Sequence, residues 1–99
     1  MENAVLLEKN EFSRTYRKGE VMVYVAKAYD EESRLHFVVV SIPEIPRLGV
    51  VKLQLPIKFE FEPMRDAFIE NFDCDVFLRE LEDRIISNRN NIENQNGEN

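Results

Sequence analysis

The chain contains one histidine, His36, and one cysteine, Cys74. Metal sites built from nitrogen and sulfur need three or four such ligands, so one chain has too few for structural zinc. His36 lies between Leu35 and Phe37 in an apolar run. A catalytic base needs a nucleophile and an orienting group beside it, and the sequence supplies neither, so His36 reads as a structural side chain in a strand. Cys74 is flanked by Asp73 and Asp75 near an expected helix start. A helix N-terminus lowers a thiol pKa, whereas neighbouring carboxylates raise it. The opposing effects point to a buried structural thiol, not an activated nucleophile.

Carboxylates are more plentiful. Glu60 and Glu62 share a strand parity, and Asp66 and Glu70 share a helix face at i, i+4. Such groups can hold Mg²⁺ or act as an acid/base pair. No lysine stands beside them in the pattern of a nuclease site, and Arg65, Arg79 and Arg84 lie at helical spacing to pair with acids. A solvated, ion-paired face is the reading. The three glycines, at 19, 49 and 97, form no phosphate-binding loop. Pro43-Glu44-Ile45-Pro46 has the spacing that SH3 domains bind, but between two strands it reads as a stiff connection. No catalytic residue, metal or cofactor is expected, and the chain is read as non-enzymatic.

The elements that would position these residues follow from periodicity. Ninety-nine residues, 43% of them hydrophobic, suit a single core. Phe12–Arg17, Glu20–Ala28 and Arg34–Ile42 read as strands, the latter two apolar on both parities and therefore central. Ala4–Glu8 is apolar but short, open between strand and helical turn. Val51, Leu53, Leu55, Ile57, Phe59 and Phe61 alternate with polar residues without error, so this strand should turn one face to the core. Pro56 on the polar parity marks an edge strand or a bend. Past Pro63 the period becomes helical through Met64, Phe68 and Phe72, then resumes out of phase at Phe77, Leu78, Leu81 and Ile85. A break capped by Asp73 resolves the phase change into two helices. The expected fold is α+β: an antiparallel β-meander of three to four strands with two short C-terminal helices packed on one face. Residues 1–88 form the domain, and the Asn-rich stretch 89–99 is expected to be disordered.

With Val21, Val23 and Val25, Leu35, Phe37 and Val39, and Val51 through Phe61 turned to the helices, the opposite face would carry Met22, Tyr24, His36, Val38, Val40, Lys52, Gln54 and Lys58. Only Ala4–Leu7 or Phe12 and Tyr16 remain to cover it from within. Monomers seldom expose large apolar patches, so this outer sheet face is the candidate protein interface. The net charge of −6 is uneven: residues 1–58 carry nine basic and eight acidic side chains, residues 59–99 four and eleven. That balance disfavours duplex DNA. No stretch is apolar enough to span a membrane, no signal peptide is visible, and a lone cysteine needs no oxidising compartment, so a cytoplasmic protein is expected. The functional expectation is a dimeric protein-binding module, a small acidic regulator or inhibitor of the kind that viruses or mobile elements encode. The alternative is a single-stranded nucleic-acid binder using the same face, for which Tyr24 would be the one evident stacking aromatic.

Overall fold

The computed structural model describes residues 2–97, with side-chain surroundings through residue 91. Five strands run in chain order as an antiparallel meander: β1 (Val5–Lys9), β2 (Ser13–Lys18), β3 (Val21–Asp30), β4 (Leu35–Ile45) and β5 (Val50–Phe59). The sheet is followed by α1 (Glu62–Glu70) and α2 (Cys74–Gly97). The α+β meander is as expected, with one strand more, because Ala4–Glu8 contributes β1 at the edge.

Local chemistry sets each reversal. Asn10 Oδ1 accepts the amides of Phe12 and Ser13 at 2.8 and 2.9 Å, closing the first turn. Gly19, at φ 59°, makes the second where a side chain would be strained. In the third, the Asp30 carboxylate accepts both the hydroxyl and the amide of Ser33, at 2.7 and 3.3 Å. A short 3₁₀ turn at Pro46–Leu48 ends on Gly49 at φ 65°. Asp73 separates the helices as expected: its Oδ1 accepts the Val76 amide at 3.1 Å, capping α2.

The core lies between the sheet and the helices. Val23 and Val25 of β3, Val38, Val40, Ile42 and Ile45 of β4, and Ile69 of α1 are essentially inaccessible. Cys74 and Leu78 of α2 close one side. Phe59, Phe68, Phe72 and Phe77 form a chain of ring contacts at centroid distances of 5.5, 6.0 and 5.2 Å, which ties β5 through α1 to α2. Tyr16 of β2 joins it at Phe72, 5.5 Å away.

The face assignment of β4 differs from the sequence reading. Val25 pairs with Val40, which pairs with Leu55; Lys27 pairs with Val38, which pairs with Ile57. Val38, Val40 and Ile42 therefore face the helices, and Phe37 and Val39 face away. Both parities of β4 are apolar, so alternation alone did not choose between them. The discriminating residues lie further along, where Ser41 follows Val39 on one parity and Ile42 follows Val40 on the other.

Two ends of the alternating series in β5 also differ. Val51 and Phe61 are each 63% exposed, whereas Leu53, Leu55, Ile57 and Phe59 pack inward. Lys52 adopts φ 53° opposite Pro43, between the pairs Ile42–Leu53 and Glu44–Val51. This left-handed residue rotates the strand, so Val50 rather than Val51 meets the core. Phe61 has left the sheet and caps α1. Finally, α2 runs to Gly97 instead of ending near Asn88, so the stretch expected to be disordered is helical up to that point. No proline or glycine intervenes before Gly97, and a helix nucleated by its packed first half propagates cheaply. Residues 98 and 99 lie outside the described residues.

The β4 assignment has a direct consequence. Val40→Asp places an unpaired carboxylate in the core, at a cost of several kcal/mol out of a typical ~5–15. Circular dichroism should show no cooperative thermal transition for this variant; melting within a few degrees of the wild type would contradict the assignment.

Candidate functional site

Helices α1 and α2 both occupy one side of the sheet, and the register defines what remains on the other. One row crosses the sheet as Ser13, Ala26, Val39 and Pro56. The next is Thr15, Tyr24, Ser41 and Gln54, and beyond it Arg17 pairs with Met22. In the opposite direction Ala28, Phe37 and Lys58 are aligned. The centre of this face is thus Ala26, Phe37 and Val39, and Tyr24, 41% exposed, links it along β3 to Met22; all but Tyr24 are half-buried by their neighbours alone. Arg17, Gln54 and Lys58 stand around it.

Of the eight residues expected on this surface, Met22, Tyr24, Gln54 and Lys58 are brought together. Lys52 is exposed at the turned end of β5. Val38 and Val40 are core, and His36 shares their parity; these three are removed from the site. His36 sits between Tyr29 and Phe59 in the ladder, its ring 4.8 Å from the Tyr29 ring, with Nδ1 buried and unpartnered. The inversion of β4 hides Phe37 and Val39 from the sequence reading; Ala26 and Pro56 stand on the outer parity in that reading too, but are not among the residues it names for the site. The N-terminal segment does not cover this face, because β1 extends the sheet at its edge.

Asp66, Glu70 and Asp75, three of the carboxylates named above, are bound to cations of the sheet's helix-covered side. Asp66 lies 3.1 Å from Lys27 Nζ and 3.1 Å from Arg65, and its pKa is held below the ordinary range, chiefly by the Lys27 hydrogen bond. Asp75 meets Lys18 Nζ at 2.8 Å and accepts the Ala4 amide at 2.9 Å, which likewise lowers its pKa. Glu70 pairs with Arg14 at 3.2 Å. The Arg14 guanidinium is buried and also donates to the carbonyls of Asn10 and Ser13, at 2.6 and 3.0 Å. Glu82 pairs with Arg47. Glu60 and Glu62 are exposed. Among the described residues, no three acids, histidines or cysteines converge as a metal site would require.

The acids therefore dock the helices, and the bare sheet face is left with Arg17, Lys58, the uncharged polar Ser13, Thr15, Ser41 and Gln54, and apolar side chains. Among the described residues, no helix is long and apolar enough to cross a membrane.

Cys74 is 4% exposed; burial first, and then Asp75, push its thiol pKa up to about 11. A thiolate is the reactive species, so labelling by a thiol reagent at neutral pH should be at least about a hundredfold slower in the native protein than in denaturant, since it requires opening of the core. Equal rates in the two conditions would show that the thiol is accessible.

The chain matches no family model, no curated protein and no solved structure.

Proposed function

We propose that this protein is a non-enzymatic protein-binding module, acting as a small regulator or inhibitor, and that the helix-free face of its sheet receives the partner. The observation that carries this reading is the row structure of that face. Ala26, Phe37 and Val39 form an apolar centre on β3 and β4 that Tyr24 continues to Met22, and among the described residues no helix or strand lies over it. Monomeric domains seldom leave such a surface open. Its make-up, with an apolar centre that includes the Tyr24 ring and with Arg17, Gln54 and Lys58 outside, is that of a protein interface with an apolar core and a polar rim. Nothing on the face converges as a nucleophile, base and orienting group would.

Val39→Asp tests this without disturbing the core, because the side chain points to solvent on the bare face. The variant should keep the wild-type circular dichroism spectrum. In affinity capture from native host extract, it should lose the proteins that the wild type retains. Equal capture by a folded Val39→Asp variant would remove this face as the binding surface.

One observation favours the alternative. Phe37 joins Tyr24 on the outer face, so two aromatics and the cations Arg17 and Lys58 share it, which is the composition of a base-stacking platform. Against this stands the overall charge of −6, which repels a polyanion before contact. Anisotropy titrations with single-stranded oligonucleotides at low salt are expected to show no saturable binding. Binding that weakens steeply with salt and is lost in Tyr24→Ala would assign the face to nucleic acid.

A further inference from the structure

The two edges of the sheet are built differently. At the β5 edge, Lys52, Pro56 and Lys58 interrupt the strand's outward residues. Proline removes a donor, and lysines resist close strand pairing; both are devices that keep an edge from adding another strand. The β1 edge has no such protection over its first half. Val5, Leu6 and Leu7 are 51, 47 and 48% exposed, and all five residues of β1 are open to solvent. Successive side chains of a strand point to opposite faces, so this exposure leaves both sides of β1 bare. The helices leave its middle open: α1 packs over β3, β4 and β5, and helix side chains reach β1 only at its ends, where Asp75 accepts the Ala4 amide and Glu70 lies 3.8 Å from Lys9. Among the described residues, β1 pairs only with β2, and its other backbone edge is free.

We infer that β1 is a self-association edge, pairing antiparallel with β1 of a second copy across a two-fold axis at Leu6. Three features select this occupant. The apolar triplet is self-complementary: Leu6 would face Leu6 of the second copy and Val5 its Leu7, while Glu8 falls opposite Ala4 and no like charges meet. A register shift between Leu6 and Glu8 marks a bulge in the β1–β2 ladder, which bends the strand there and keeps the overlap between the two copies short, from Ala4 to Glu8. The acidic surplus also lies in residues 59–99, mostly on helices that cover one face of the sheet, with α1 over β3, β4 and β5, so edge-to-edge approach brings strands rather than helical layers together. Joined this way, two five-stranded sheets become one continuous sheet. This surface is separate from the outer face and stands or falls independently of it.

Multi-angle light scattering across a concentration series is the test, run on the wild type, Leu6→Lys and Val39→Asp with circular dichroism alongside. The wild type should be a dimer at micromolar concentration. Leu6→Lys should raise the dissociation constant about tenfold or more, the equivalent of losing a little over one kcal/mol per mole of dimer, and Val39→Asp should leave it unchanged. Because Leu6→Lys also exposes a new charge beside β2, Leu6→Cys gives a second readout. Under mild oxidation it should form a disulfide-linked dimer, whereas Lys9→Cys, beyond the bulge, should not. A wild type that stays monomeric overturns the inference, as does cross-linking at Lys9→Cys equal to that at Leu6→Cys. A dimer lost in Val39→Asp but kept in a folded Leu6→Lys would also overturn it, and would assign self-association to the sheet face.

Discussion

The pairing of Val25 with Val40 is the constraint on which the rest of the molecule depends. It fixes β4 against β3, and through Leu55 it fixes β5 as well. Because side chains alternate with a period of two, a slip of one residue would exchange the whole of one face of β4 for the other. In the observed register Val23, Val25, Val38, Val40 and Ile42 form one apolar floor with no accessible surface, and Ile69 descends onto it. Burial of each such side chain contributes about 1.5–3 kcal/mol. The alternative register would bring Ser41 inward and leave Ile42 in water, which explains why the sequence specifies one pairing although both parities of Leu35–Val40 are apolar.

Electrostatics then divides the molecule into two sides. The cations of β2 and β3 that share the core parity, Arg14, Lys18 and Lys27, are matched one to one by Glu70, Asp75 and Asp66 on or beside the helices. Exposed pairs of this kind contribute little each; the buried Arg14 differs, since its guanidinium needs the two carbonyls and Glu70 together to offset desolvation. The acidic C-terminal part of the chain is therefore placed over the cationic edge of the core, and the outer face carries Arg17 and Lys58 without acids in their rows. The same placement leaves Val5, Leu6 and Leu7 of β1 exposed beyond the helical layer.

Much of this arrangement was legible in the residues. Alternation located β3, β4 and β5. The phase jump between Phe72 and Phe77 located the break, which Asp73 caps as its residue type suggests. What was not legible had specific causes. A strand apolar on both parities carries no face signal until its polar and apolar ends are compared, so Phe37 and Val39 were assigned to the core and Val38 and Val40 to the surface. Five residues, Val5–Lys9, are too few for periodicity to separate strand from helical turn, and β1 is recognisable only through its ladder with β2. The left-handed Lys52 has no glycine or asparagine to announce it; the proline opposite is the one hint that the ladder is interrupted there. The extension of α2 to Gly97 reflects propagation from a packed start, which local composition underestimates.

The functional reading rests on a sheet that is covered once. The helices, the aromatic chain and the ion pairs between sheet and helices lie on the side of Val38 and Val40, and among the described residues nothing covers the apolar centre at Phe37 and Val39. Nuclear Overhauser contacts among assigned methyl and ring protons test this most directly. Contacts are expected from Val38 and Val40 to Ile69 of α1, and none from Val39 or Phe37 to any residue of either helix. Contacts between Val39 and Ile69 would contradict this reading, because the helices would then cover the face assigned here to binding.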